Sequence, residues 1–383
     1  MQRKIKVALM SDPMDNRHGK GTAIYTRKLI EHLLEDNRVE ITLVHYDLSS
    51  EPLYGKTREI RIPYLRLPFA TRFVRTMLFF WKYRNEKFDI IHWFQPRLYP
   101  FFWLAPARHI VVTAHGAGDI TAPGQFPLSR RIYNTLMRYF NGKIDAVVGD
   151  SDFGRAEIIE HYHTRPDRTH AILLGGGENF TALDTVEAQK RISAIYGIRI
   201  PFILDVSRLE PHKNVDTLIR AYEILRRSST LTHSLVILGA RRFGAEKTIA
   251  LAHASTFKDD IVFLDSVEQT NMNALYAAAD LFVFPSLNEG FGLPVVEAFA
   301  SGTPVITSNV TALPEIAGDA GVTVDPMDTE ALAEAMQRVL SDLPLREALV
   351  QKGLARARQF TWARTAEKTI ELYQSLLPQL MRD

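Results

Sequence analysis

Two carboxylates in the last third of the chain, Glu289 and Glu297, bracket the run Gly290-Phe291-Gly292-Leu293-Pro294. An apolar run over 281–285 leads into the pair, and a helical pattern over 294–301 follows it. A glycine turn at a helix N-terminus exposes backbone N–H groups that can hold an anion. Gly290 and Gly292 let the backbone approach a ligand closely. Eight positions place Glu297 about two helical turns beyond Glu289, so both acids can grip one elongated ligand. An incidental pair of acids on a strand–turn–helix is the plain alternative, and the glycines between them argue against it.

Three other clusters carry chemistry. Arg208 and Lys213 lie in Val206-Ser207-Arg208-Leu209-Glu210-Pro211-His212-Lys213-Asn214, between an apolar run and a helical pattern. A guanidinium and an ammonium on one loop form a clamp suited to a diphosphate; a solvated loop with two basic residues is the alternative. His115 ends the apolar run Val111-Val112-Thr113-Ala114, where it can meet a ligand or serve a structural role. Asp119 is the acid near it and no second ligand follows at metal spacing, so a metal site is rejected. Gly19-Lys20-Gly21 follows the first apolar run as a phosphate-facing turn would. It matches neither a dinucleotide-binding nor a Walker A pattern, so a plain strand-to-helix turn remains open.

Residues 56–84 are the most basic stretch, with Arg58, Arg61, Arg66, Arg72, Arg75, Lys82 and Arg84 interleaved by Phe73, Phe79, Phe80 and Trp81. A second aromatic cluster spans 98–104. Together they read as a surface for anionic lipid headgroups or a lipid-linked acceptor. An amphipathic helix with its aromatic face in the core is the equal alternative.

The elements that must position these groups alternate in type. In the first half, strands are expected over 4–10, 40–46, 88–92, 109–114, 144–149 and 169–174, with helices over 22–35, 69–84, 130–140 and 153–161. In the second half, strands are expected over 202–207, 235–239, 261–264, 281–285, 304–307 and 322–324. Helices there fall over 215–227, 245–254, 272–278 and 294–301, and three more close the chain over 329–340, 345–360 and 362–377. Such alternation predicts an α/β fold of two doubly wound, Rossmann-like parallel-sheet domains, with ligand at the carboxyl ends of the strands, facing the cleft between them. The expected domains are 1–178 and 179–361, with the last helix, about 362–383, returning to the first. Gly175-Gly176-Gly177 reads as a flexible turn or hinge at the boundary.

A length of 383 residues suits two domains. The net charge of +2 gives no argument for a nucleic-acid partner. The chain has no cysteine, which removes disulfides, thiolate metal sites and cysteine nucleophiles and points to a cytosolic setting. The first ten residues read as a buried strand and not as a signal peptide. No apolar run approaches the ~20 residues of a membrane helix.

With these residues in place, the chain resembles the retaining glycosyltransferases of family 4, whose two-domain architecture is called GT-B. The resemblance rests on Gly19-Lys20-Gly21, Thr113-Ala114-His115, Asp150-Ser151-Asp152-Phe153, Ser207 to Asn214, Glu289 to Glu297, Gly302-Thr303-Pro304-Val305 and Leu313-Pro314-Glu315-Ile316. It implies that Arg208 and Lys213 bind the donor diphosphate, Glu297 the ribose hydroxyls and Glu289 the donor sugar. It places the amides of Phe291, Gly292 and Leu293 near sugar and phosphate oxygens, with Gly290 in the same turn. Gly21 would let the first loop close over the phosphates, His115 would contact the sugar near the reacting carbon, and Val267 would lie by the base. The implied reaction is metal-independent hexose transfer with retention by same-face attack, needing no cofactor; Glu289 as a covalent nucleophile is less favoured.

The pattern over 308–315 resembles mannosyl- and rhamnosyl-type members, so the expected donor is GDP-mannose, with UDP- and dTDP-linked glucosyl, N-acetylglucosaminyl or rhamnosyl donors open. The expected acceptor is a saccharide or lipid-linked saccharide of cell-surface polysaccharide or lipopolysaccharide synthesis. The expected location is cytoplasmic, with peripheral contact at the inner face of the membrane through 56–84 and 98–104. Alternatives are a sugar-nucleotide epimerase or phosphorylase of the same fold, a non-catalytic nucleotide-binding partner, and an NAD-dependent oxidoreductase, for which neither half supplies the glycine pattern. Lys20 and Ala23 depart from the family's first loop, as Phe153-Gly154 does from its usual small polar residue.

Overall fold

The computed structural model describes residues 3–15, 21–46, 51–62, 69–96, 98, 100–116, 128–240 and 244–378. The chain divides into two compact units: Met1–Leu174 with Trp362–Asp383, and Gly175–Thr361.

The first unit is built on β1 (Ile5–Met10), β2 (Val39–Tyr46), β3 (Arg58–Ile62), β4 (Phe88–Trp93), β5 (Ala107–Thr113), β6 (Ala146–Gly149) and β7 (Thr169–Ala171). They form one sheet in the order β3-β2-β1-β4-β5-β6-β7, parallel throughout. β1 apart from Lys6, and all of β4, are buried on both faces, as strands covered by helices must be. Among the described residues before its boundary, helices α1 (Gly21–Glu35), α2 (Phe69–Lys82), α3 (Leu128–Phe140) and α4 (Asp152–Tyr162) belong to it. The strand order reverses direction at β1, so the crevice beyond the carboxyl ends of β1 and β4 is this unit's switch point.

The second unit repeats the plan with β8 (Phe202–Val206), β9 (Ser234–Leu238), β10 (Ile261–Leu264), β11 (Leu281–Phe284), β12 (Val305–Ser308) and β13 (Val322–Val324). Their order is β10-β9-β8-β11-β12-β13, again parallel, which puts the switch point between β8 and β11. Helices α5 (Thr185–Tyr196), α6 (Val215–Ser228), α7 (Ala245–Ala254), α8 (Gln269–Ala278), α9 (Leu293–Ala300), α10 (Leu313–Ala317), α11 (Thr329–Ser341) and α12 (Leu343–Ala357) cover the sheet. Helix α13 (Trp362–Leu376) then returns to the first unit, where it packs on α1 and buries Trp362, Ile370 and Tyr373.

Three local features add to the expectations. Residues 58–62, given no element above, form the outer strand β3, and α2 follows over 69–82, close to the expected helix. Residues 185–196, where no element is expected from the sequence, are helix α5, capped by the Asp184 carboxylate accepting from the Glu187 amide at 2.9 Å. Gly176 and Gly177 are packing residues. A Cβ on Gly176 would lie 2.9 Å from Leu293 Cδ2, and one on Gly177 would lie 3.3 Å from Ala300 Cβ, so their smallness lets this segment lie against α9.

Candidate functional site

The loops after β8 and β11 flank the second unit's switch point, and they are stapled together. The Leu287 amide (2.8 Å) and the Ser286 hydroxyl (3.0 Å) both donate to the His212 carbonyl. Asn214 closes the first loop in the left-handed region, at φ 59°, which Asn tolerates better than most residues. Its side-chain amide donates to the carbonyls of Pro285 (3.1 Å) and Pro326 (2.7 Å). The β8 loop also leans on Gly239 at the end of β9: a Cβ there would sit 1.8 Å from the Ser207 carbonyl oxygen, an impossible contact.

This scaffold brings Lys213 and Glu289 together across 76 residues of sequence. Lys213 Nζ makes a close ion pair with Glu289 Oε1, both side chains largely buried, and the ammonium lies 5.3 Å from the centre of the Phe284 ring. Glu289 is fixed from behind, its amide donating to Thr311 Oγ1 at 3.2 Å and its carbonyl accepting from the Ala312 amide at 3.3 Å. Arg208, on the same loop as Lys213, points outward into solvent and pairs with Glu210 at 3.1 Å. An exposed guanidinium and a buried ammonium on one loop can together hold an anion.

Gly292 adopts φ 115°, open to glycine alone at low cost, and a Cβ would lie 2.8 Å from Leu313 Cδ2. It starts α9, whose first turn has no side-chain cap. The Phe291 ring is buried edge-on against Phe360, centroids 5.7 Å apart, so its backbone is what remains for a ligand. Gly290 and Leu293 complete the turn, each half-buried. Glu297 lies on α9 and accepts the Tyr276 hydroxyl at 2.8 Å. Burial pushes the Glu297 carboxyl up to about 7, and the Tyr276 bond opposes the shift. Val267 follows β10, the outer strand, two strands from β8.

Asp205, within β8, belongs to no motif named above. It is fully buried and accepts the Ser207 hydroxyl on Oδ2 at 2.6 Å, while Oδ1 has no hydrogen-bond partner among the described residues. Burial pushes it up to about 7, against the pull of Ser207 and of the Lys213 charge. An acid inside the apolar run Phe-Ile-Leu-Asp-Val was the available signal.

In the first unit, His115 follows β5. Its Nδ1 lies 2.7 Å from Asp150 Oδ2 and its Nε2 lies 3.1 Å from the Phe94 carbonyl oxygen. Tyr25 of α1 packs edge-on at 4.8 Å between ring centres. Burial disfavours the imidazolium, but the Asp150 charge and hydrogen bond more than offset it, and the His115 pKa is raised. Gly21 opens α1, and a Cβ there would meet nothing within 4 Å among the described residues. Gly19, Lys20 and Asp119 lie outside the described residues.

Two doubly wound parallel sheets, the second with a cation–carboxylate pair at its switch point, are the arrangement of the GT-B class. A family model described as "Glycosyl transferases group 1" matches residues 189–356, and one described as "Glycosyltransferase Family 4" matches residues 19–175. The O-antigen chain mannosyltransferase B of Escherichia coli is 32% identical over 301 residues, which are 77% of this chain and 77% of that protein. Sucrose-phosphate synthase from Thermosynechococcus elongatus superposes with a TM-score of 0.75 at 23% identity, covering 98% of this chain and 100% of that one. The Anabaena protein Alr3699/HepE, solved in complex with UDP-glucose, gives a TM-score of 0.72 at 17% identity over 97% and 100% of the two chains. The chain belongs to the group 1 glycosyltransferases of family 4.

Proposed function

We propose that the protein transfers mannose from GDP-mannose, with retention and without a metal, to a saccharide or lipid-linked saccharide in cell-surface polysaccharide synthesis. The observation that carries this reading is the Lys213–Glu289 pair at the β8/β11 switch point, together with the likeness to a mannosyltransferase over 77% of the chain. A donor diphosphate would draw Lys213 away from Glu289, leaving one group for the phosphates and the other for the sugar. Lys213 and Arg208 would stabilise the charge that builds on the departing diphosphate, which is electrostatic catalysis. The two acids therefore bind different parts of one donor and do not form a glycosidase-type pair. The amides of Phe291, Gly292 and Leu293 would meet sugar and phosphate oxygens, with Glu297 on the ribose and Val267 by the base.

A thermal-shift screen of GDP, UDP and dTDP, followed by transfer assays with the matching sugar nucleotides, tests the donor. GDP should raise the melting temperature most. Lys213→Ala and Glu289→Ala should each lower kcat by about a hundredfold or more, the scale of losing one preorganised electrostatic contact. Full activity in both variants would sink the site assignment. EDTA should leave the rate unchanged, and NMR of the product should show the donor's anomeric configuration.

Membrane contact belongs to the same proposal. Among the described residues no helix is long and apolar enough to cross a membrane. Helix α2 buries Thr76, Phe79 and Phe80 while Val74, Leu78 and Trp81 form an exposed apolar stripe. The Arg84 guanidinium lies 4.9 Å from the Trp81 ring centre. Phe101 and Leu104 are also exposed, whereas Leu98 and Phe102 are core residues. The aromatic segments thus divide between core and surface, and the surface part suits anionic lipid. Sedimentation with phosphatidylglycerol vesicles at low salt should fall in Leu78→Ser/Trp81→Ser; unchanged sedimentation refutes the contact.

A further inference from the structure

The buried polar groups around His115 go beyond the sugar contact that the family resemblance implies for it. Nε2 faces the Phe94 carbonyl, which can only accept, so Nε2 carries a hydrogen. Nδ1 faces Asp150, so one further proton lies between Nδ1 and Oδ2, on one atom or the other. Asp150 is 5% exposed, and its second oxygen, Oδ1, has no hydrogen-bond partner among the described residues. A carboxylate so poorly solvated stays ionised only with a positive charge beside it. His115 is the stronger base of the two by its ordinary chemistry, so the proton rests on Nδ1.

We propose that Asp150 is a positioning residue which, with the Phe94 carbonyl, holds His115 as a doubly donating imidazolium, so that His115 gives a hydrogen bond to a substrate oxygen and never serves as a proton acceptor. The Nδ1 bond is the permanent one, since Asp150 is anchored by the turn into α4, where the Ser151 hydroxyl accepts from the Gly154 amide at 2.9 Å. The Nε2 bond is the exchangeable one. A substrate oxygen carrying developing negative charge is a better acceptor than the Phe94 carbonyl, and it can take the same hydrogen. The proposal rests on the transfer reaction above only for what that oxygen is, a sugar hydroxyl or the departing phosphate.

The other groups facing His115 from its neighbouring elements fit this charge. Tyr25 of α1 stands 4.8 Å away between ring centres with the two planes at 80°, an uncharged neighbour. The Glu157 carboxylate of α4 lies 3.1 Å from where a Gly116 Cβ would sit, beside the histidine in sequence. His92 of β4 does not compete for the proton. It is fully enclosed, with Nδ1 2.6 Å from the Tyr373 hydroxyl and Nε2 2.8 Å from Thr113 Oγ1. Burial, and then the His115 charge, push it down to about 3, so it stays neutral.

The test is ring-nitrogen NMR of the ¹⁵N-labelled full chain at pH 7.5, with His115→Asn supplying the assignment by difference. Both His115 nitrogens should be protonated in the wild type. Asp150→Asn should lower the His115 pKa by about 1–3 units, the usual effect of an adjacent opposite charge, and Asp150→Glu should restore part of it. In the transfer assay Asp150→Asn should reduce kcat by about tenfold or more while the donor KM changes far less, and the loss should grow with pH. A neutral His115 in the wild type, or an Asp150→Asn variant with unchanged His115 titration, overturns the proposal. Because the ring measurement needs no donor, a protein that transferred no sugar would refute the function proposed above and leave the charge state decided separately.

Discussion

Replacing Glu297 with Gln should remove most of the pH dependence of donor binding. In the free protein Glu297 is half-buried, has the Tyr276 hydroxyl as its bond, and titrates near 7 because burial disfavours its charge. Ribose hydroxyls would bring two further donors to the carboxylate, and each bond to the charged form lowers its pKa. A fall from about 7 toward the ordinary glutamate range makes the ionised form the binding form. Between pH 6 and pH 8 the ionised fraction of the free protein rises about tenfold, so affinity should tighten roughly five- to tenfold, or about 1–1.4 kcal/mol. Solvent access to a half-buried group sets the lower end of that range. The assay is calorimetric titration with GDP-mannose, whose phosphates do not titrate in this interval, in two buffers of different ionisation enthalpy. About half a proton should be released per donor bound at pH 7. Glu297→Gln keeps an acceptor for Tyr276 and should bind with little proton release. Equal affinity at pH 6 and pH 8 in the wild type, or the same proton count in the variant, would refute the reasoning.

Asp205→Asn should stabilise the protein more at pH 8 than at pH 4. Its folded pKa, about 7, stands above the model-peptide value of 3.8, so the folded state binds the proton more tightly and stability is lost as pH rises from about 4 to 7. About 3 pKa units give a ceiling near 4 kcal/mol, and relaxation reduces it to roughly 2, which is about 4–8 °C in a domain of this size; a gain equal at both pH values would refute the assignment. Gly239→Ala must displace the Ser207 carbonyl, at an overpacking penalty of about 1–3 kcal/mol or more, and should weaken donor binding through Arg208 and Lys213. A melting temperature and a donor response both unchanged would show that the β8 loop does not depend on that contact.

Much of the fold was legible because buried parallel strands leave continuous apolar runs between helical periods. β3 escaped because its sequence, Arg-Glu-Ile-Arg-Ile, is an edge strand with one wet face, and its charge drew it into the neighbouring basic segment. α5 escaped because only Ala188 and Ile192 on it are buried, too few to mark a period. At the site, Arg208, Lys213, Glu289 and Glu297 could be picked out by residue type and neighbours. The Lys213–Glu289 pairing could not, because it depends on β8 and β11 being adjacent, which no local pattern states. Tyr276 is the same case: its bond to Glu297 requires α8 and α9 to pack side by side. Asp150 was visible within a motif, but its partner, His115, stands 35 residues away.

The return of α13 to the first unit has a consequence for biosynthesis. Residues 175–361 are one uninterrupted stretch, so the second unit can finish folding once they have left the ribosome. The first unit cannot: His92 has its Tyr373 partner, and Tyr25 its Trp362 neighbour, only after the whole second unit has been made. Synthesis order and completion order are therefore reversed. The unit that emerges first waits until α13 arrives, and a chain cut short before Trp362 would present a complete second unit joined to an unfinished first.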